Sequence, residues 1–154
     1  MASITGFFHG GITVGEMDRS LAFYRDGLGL DVHFDRIADS DYLREVLALT
    51  QTEIRVVYLR IPGTEAFVEL LEYRGLERQP AAARPCDPGA GHLCLYVDDV
   101  DGMHARLSSL GYSSRSNGPV AITAGPNAGA RSVYAVDPDG YLVELFQPRT
   151  SSGA

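Results

Sequence analysis

Lysine is absent from this 154-residue chain, so all 13 basic residues are arginine, against 20 acidic ones and a net charge of −7. The missing lysine reads as a mark of a GC-rich genome rather than of a mechanism. The shortage of positive charge speaks against nucleic acid and anionic membrane surfaces as partners, since both repel an acidic protein. The two cysteines, Cys86 and Cys94, are too few for a disulfide framework and lack zinc-finger spacing. There is no apolar run long enough to span a bilayer and no recognisable signal or transit peptide, so a soluble cytoplasmic protein is expected. A hydrophobic content of 45% with 21% charged residues is that of an ordinary globular chain.

What the chain does have is an internal repeat. At an offset of 83 residues His9 meets His92, Val14 meets Val97, Asp18 meets Asp101 and Ala22 meets Ala105. At an offset of 75, Phe67-Val68-Glu69-Leu70-Leu71 meets Leu142-Val143-Glu144-Leu145-Phe146. The first half is thus eight residues longer in its middle. Two halves that repeat one histidine and one glutamate in register suggest a single shared site on a pseudo-twofold axis.

Periodicity predicts the same β-α-β-β-β order in each half. In the first, residues 7–14 read as a strand and residues 17–28 as a helix with Met17, Leu21, Tyr24 and Leu28 on one stripe. A second strand is expected over 31–37, and an extra helix over 38–49 with Leu43, Val46 and Leu47 at helical spacing. Strands over 53–61 and 66–73 complete the half as a hairpin. Residues 74–90, rich in proline and alanine, form a linker. The second half has a strand over 92–97 and a helix over 100–110 capped by Asp98 or Asp99. A short strand begins at Tyr112, a polar loop covers 113–126, and strands follow over 131–136 and 141–147 around the turn Asp137-Pro138-Asp139-Gly140. The expected architecture is α+β: one domain over 1–154, made of module 4–73, linker 74–90 and module 91–148.

Alternation along each strand puts His9, Glu69, His92 and Glu144 on largely apolar faces, while Val68, Leu70, Leu95, Val143 and Leu145 face the helices. A carboxylate in such surroundings is costly unless paired or bound to a cation, and few arginines lie near enough in the pattern to serve. Taken singly, a histidine on an apolar strand is more often a hydrogen-bonded core residue. Repetition in register favours ligation of one divalent ion by all four, with two positions left for water or substrate. Cys94 reads as a small buried filler, Glu53 as an exposed strand-end charge, and His33 and His104 as surface or rim residues.

Five stretches carry a family resemblance: residues 9–14 (His-Gly-Gly-Ile-Thr-Val), 19–30, 68–71 (Val-Glu-Leu-Leu), 91–97 (Gly-His-Leu-Cys-Leu-Tyr-Val) and 137–145 (Asp-Pro-Asp-Gly-Tyr-Leu-Val-Glu-Leu). On these the chain resembles the vicinal oxygen chelate superfamily, which includes glyoxalase I, methylmalonyl-CoA epimerase, extradiol dioxygenases and bleomycin-resistance proteins. The resemblance implies paired modules forming a curved mixed sheet around a metal-binding cup. The set His9, Glu69, His92 and Glu144 is similar to that of bacterial-type glyoxalase I, whereas the epimerases more often have Gln where Glu69 stands. It implies a lyase or isomerase that moves a proton next to a carbonyl through a metal-stabilised enediolate. The metal would be Ni, Zn, Co, Mn or Fe. Glu144 would accept and return the proton, Glu69 would serve the opposite face, and Tyr58, Tyr73, Tyr96 and Arg131 would contact substrate. The resemblance also implies a homodimer acting on a small molecule. An extradiol-type iron dioxygenase, with His9, His92 and Glu144 as its triad, is the alternative enzyme reading. A non-catalytic drug-binding protein is the third, disfavoured because bleomycin-type proteins lack the metal set.

Overall fold

The computed structural model describes residues 1–49, 53–81 and 83–150; Thr50 to Thr52, Ala82 in the expected linker and the last four residues lie outside it. The chain forms two compact units, Met1–Pro80 and Ala81–Ala154. The division falls inside the Pro/Ala-rich stretch.

In the first unit β1 (His9–Thr13), β2 (Asp31–Ala38), β3 (Glu53–Arg60) and β4 (Phe67–Arg74) form a mixed sheet of order β1-β4-β3-β2. β1 runs parallel to β4, and the other pairings are antiparallel. Alternation makes one face of this sheet wholly apolar at its centre: Val57, Leu59, Val68 and Leu70 are fully buried. They form the core with Met17, Leu21, Phe23 and Tyr24 of the helical segment after β1. That segment starts as α1 (Met17–Leu21) and widens into a π-helical turn over Ala22–Gly27, where the Leu28 amide donates to the Phe23 carbonyl. The wider turn buries Phe23 as well as the expected stripe. Gly29, at φ +80°, ends it.

α2 (Asp41–Leu47) is shorter than the 12-residue helix the spacing predicts, and none of its residues is buried. Among the described residues its apolar stripe is covered only in part: Leu43 and Leu47 are half-buried, and Tyr42 and Val46 are exposed.

The second unit repeats the plan. β5 (His92–Tyr96), β6 (Val120–Ala121), β7 (Arg131–Val136) and β8 (Leu142–Gln147) form a sheet of order β5-β8-β7-β6 with α3 (Val100–Ser109) packed on β7 and β8. Asp99 is the N-cap, its Oδ1 accepting from the Gly102 amide at 3.0 Å. The turn after β7 closes as expected, with Gly140 at φ +91° and Asp137 Oδ1 accepting from the amides of Asp139 and Tyr141.

The strand expected at Tyr112 does not form there, because that amide caps α3 by donating to the Leu107 carbonyl. The chain then touches β7 at the Ser114–Ala135 bridge and pairs as a strand only over Val120–Ala121, inside the predicted loop.

Each sheet also holds its helix by the same pair of contacts. Glu72 on β4 accepts from the Met17 amide (2.9 Å), and Gln147 on β8 accepts from the Val100 amide (3.0 Å). Arg55 on β3 pairs with Asp18, and Arg131 on β7 pairs with Asp101. An orphan amide at each helix start is thus satisfied by a side chain of the last strand.

Candidate metal and proton-transfer site

The register explains how a histidine and a glutamate meet in each unit. β1 and β4 are parallel neighbours with Gly11 opposite Glu69, and β5 and β8 are parallel neighbours with Cys94 opposite Glu144. The histidine two residues earlier on each first strand lies on the same face as that glutamate. His9 Nε2 lies 3.2 Å from Glu69 Oε2, and His92 Nε2 lies 3.2 Å from Glu144 Oε2. The glutamate side chains are 15% and 16% exposed, the histidines 30% and 44%, so each pair has a sheltered acid and an accessible imidazole.

A tyrosine completes each pair. Tyr58 is opposite Glu69 across β3–β4, and Tyr134 is opposite Glu144 across β7–β8. The Tyr58 hydroxyl shares a 3.3 Å hydrogen bond with His9 Nδ1, and the two rings meet at 64°. The Tyr134 hydroxyl donates to Glu144 Oε2 at 3.1 Å, lies 3.4 Å from His92 Nε2, and its ring meets His92 at 61°. Burial, reinforced by the neighbouring carboxylate, pushes both phenols up to about 12, so both remain protonated donors at neutral pH.

The two glutamates differ in what else they touch. Glu144 also accepts from the Ser132 hydroxyl at 2.7 Å. Burial raises its pKa, but the hydrogen bonds from Ser132, Tyr134 and Cys94, with His92 nearby, outweigh that and leave it below the usual glutamate value. The position equivalent to Ser132 on β3 is Val56, and the position equivalent to Cys94 on β1 is Gly11. A Cβ at Gly11 would stand 3.3 Å from Glu69 Oε2, so glycine leaves that carboxylate its room.

The donors in each unit suit a divalent ion: a carboxylate and an imidazole converge, and among the described residues neither glutamate is taken by an arginine. Two donors are half of a usual set, and among the described residues no three His, Cys, Asp or Glu side chains cluster to hold an ion.

A family model described as the Glyoxalase/Bleomycin resistance protein/Dioxygenase superfamily matches residues 6–145. The chain belongs to this superfamily. It is 30% identical over 141 residues to a 2-epi-5-epi-valiolone epimerase of an Actinomyces species, covering 90% of this chain and 76% of that protein. It is 29% identical over 148 residues to a lactoylglutathione lyase of Haemophilus influenzae, covering 94% and 95%. The structure of a glyoxalase family protein from Bacillus cereus superposes with a TM-score of 0.84 at 18% identity, over 97% of each chain. The tandem βαβββ fold of the superfamily is therefore the fold of this chain.

Other residues singled out in the sequence fall in varied places. Tyr73 shares the Glu69 face of β4 and is half-buried, its phenol raised by burial and by the Glu69 charge. Tyr96 is exposed and packs edge-on against Phe146. Arg131 lies on the opposite face of β7 from Tyr134, tied to Asp101 of α3, so its guanidinium is turned away from Glu144. Glu53 is exposed and pairs with Arg74. Cys94 is exposed rather than a buried filler, because β5 is an edge strand whose His92 face lies open; partial burial of the thiol, then the Glu144 contact, push it up to about 11. His33 and His104 both have partners: His33 contacts Arg60 and stacks on Phe67, and His104 bonds Ser114. Tyr134 and Ser132 escaped the sequence reading. An offset of 76 (134 − 58) would have found the tyrosine; it differs from 75 because the second hairpin is one residue tighter.

Proposed function

We propose that the chain is a lyase or isomerase of the glyoxalase and epimerase kind, moving a proton on the carbon next to a carbonyl. His9, Glu69, His92 and Glu144 would together hold one divalent ion of the Ni, Zn, Co, Mn or Fe group. The observation that carries this is the duplicated triad of imidazole, carboxylate and tyrosine, built at equivalent register positions in both units. The relatives named as an epimerase and a lyase support the reaction class.

When bound, the ion supplies Lewis-acid polarisation of the substrate carbonyl. The residues supply the rest. His9 can offer a lone pair at Nε2 while its Nδ1–H donates to the Tyr58 oxygen, which selects the tautomer and holds the ring. Glu144 is aimed by Ser132 and Tyr134, so it is the better positioned carboxylate to take the α-proton and return it. Glu69, without a serine partner, would serve the other face of the same carbon.

The test has two readouts. Metal analysis of protein purified without chelator should find about one ion per chain, lost in His9→Ala and His92→Ala. Hemithioacetals, α-hydroxyketones and acyl-CoA esters incubated anaerobically in D₂O should gain deuterium at the α-carbon, and Glu144→Gln should abolish this. Turnover of a catechol that consumes one O₂ per product, with no exchange in any carbonyl compound, would replace the reading by the dioxygenase one.

A further inference from the structure

The two faces of the first sheet treat their arginines differently. On the helix face, Arg55 is neutralised by Asp18 and Asp35, and Arg74 by Glu53 and Glu72. On the His9–Glu69 face stand Arg36 and Arg60, and among the described residues neither has a carboxylate within ion-pairing distance. In a chain with 20 acids for 13 arginines, this contrast between the two faces of one sheet calls for an explanation.

Each of these guanidiniums lies instead over an aromatic ring: Arg36 is 5.1 Å from the Phe34 centroid, and Arg60 is 5.2 Å from that of Phe67. The rings form one continuous shelf with the site. Phe34 lies 4.6 Å from Tyr58, Tyr58 lies 5.6 Å from Phe67, and Tyr58 touches His9. Register sets their spacing: Arg60 is opposite Phe67, Phe34 and Glu69 flank Tyr58, and Arg36 is opposite Val56. The arginines therefore bracket the Tyr58 level from either side, each displaced by two residues, roughly 7 Å, along the strand direction. Arg60 is steadied by His33, whose Nδ1 accepts from its Nη2 at 3.0 Å.

Among the described residues the second unit has no such shelf. Val136 stands where Arg60 does, β6 is two residues long, and among the described residues His92 is the one ring against Tyr134. The imidazole–carboxylate–tyrosine triad is duplicated but its surroundings are not.

We propose that this shelf binds a flat organic anion, a carboxylate or phosphate ester attached to an unsaturated or aromatic group. That group would be the part of the substrate remote from the reacting carbon. The half-buried Phe34 and Tyr58 rings accept the flat portion, with buried Phe67 backing Arg60, and a guanidinium already seated over a ring donates in-plane to an oxyanion without giving up its stacking. The proposal rests on the reaction reading above for the word substrate, but its test is a binding measurement.

Benzoate, phenyl phosphate and neutral benzyl alcohol would be titrated calorimetrically into the full chain in low-salt buffer. Both anions, or the one whose oxyanion is matched, should bind at least tenfold more tightly than benzyl alcohol, and the stronger of the two identifies the group. The Arg36→Gln/Arg60→Gln double variant should lose that advantage, whereas Arg84→Gln, which removes one exposed charge elsewhere, should keep it. Equal binding of all three compounds, or unchanged anion binding in the double variant, overturns the proposal. Since no turnover is read, anion binding that persists without deuterium exchange would remove the reaction reading and leave the subsite. Exchange that continues without arginine-dependent binding would do the reverse.

Discussion

At the scale of single residues, the duplicated pair is informative chiefly where the copies differ. Glu144 is pinned by a hydroxyl that Glu69 lacks. A hydrogen bond to a charged group contributes on the order of 1.5–3 kcal/mol. Ser132→Ala should therefore lower kcat/KM by roughly tenfold or more while metal stoichiometry is retained; full activity would mean that Glu144 needs no such alignment. Glu69 depends on space instead. Gly11→Ala places a methyl 3.3 Å from its Oε2, whereas Gly10→Ala meets nothing within 4 Å. In a chelator competition titration the first should weaken divalent-ion binding and the second should not. The four ligand-type residues were legible in the sequence because two types recurred together at fixed offsets. Tyr134 and Ser132 were not, because the serine has no counterpart in the first half and the tyrosine repeats at a slightly different offset.

At the scale of elements, strand alternation and helix spacing located every long element, and the errors fell where chain ends decide. α3 is held at its start by a true cap, Asp99, while α2 starts at Ser40 with no side-chain cap bond. Asp99→Ala should destabilise the protein by about 1 kcal/mol in urea unfolding, and Ser40→Ala by far less. Equal effects would show that the Asp99 contact does not anchor α3. The missed β6 and the short α2 have one cause. Whether a marginal segment becomes strand or helix depends on whether a neighbour is free to receive it: among the described residues α2 is covered only in part, and Val120–Ala121 finds the open edge of β7.

At the scale of the whole molecule, a chain with net charge −7 and no lysine pairs its carboxylates with arginine, and these pairs shape how stability responds to acid. The hydrogen bond from Arg55 holds the Asp35 carboxyl below its ordinary value. Burial raises Glu72, but Arg74 and the Met17 amide more than reverse it, and Arg131 depresses Asp101. Groups depressed in the folded state bind fewer protons there than in the unfolded chain, so their stabilisation is complete at neutral pH and lost on acidification. Thermal midpoints should hold level from pH 7 to about pH 5. They should fall once the pH drops below the ordinary values of 4.5 for Glu and 3.8 for Asp. Asp35→Asn should flatten that fall; an unchanged acid slope would remove Asp35 from the account. Among the described residues no helix is long and apolar enough to cross a membrane.

The sequence by itself determined the duplication, the strand faces and the pairing of a histidine with a glutamate in each half. These follow from periodicity of two and from repeated residue types, which are local properties. Only the tertiary structure decided which side chains finish each pair. Tyr58 and Tyr134 reach it across an antiparallel register that depends on hairpin length, and Arg131 is engaged by Asp101 of α3. It also decided that Cys94 lies open and that, among the described residues, Arg36 and Arg60 stand without a carboxylate partner on the His9–Glu69 face. Charge partnership and exposure are properties of neighbours brought together from distant parts of the chain, and no spacing within one segment encodes them.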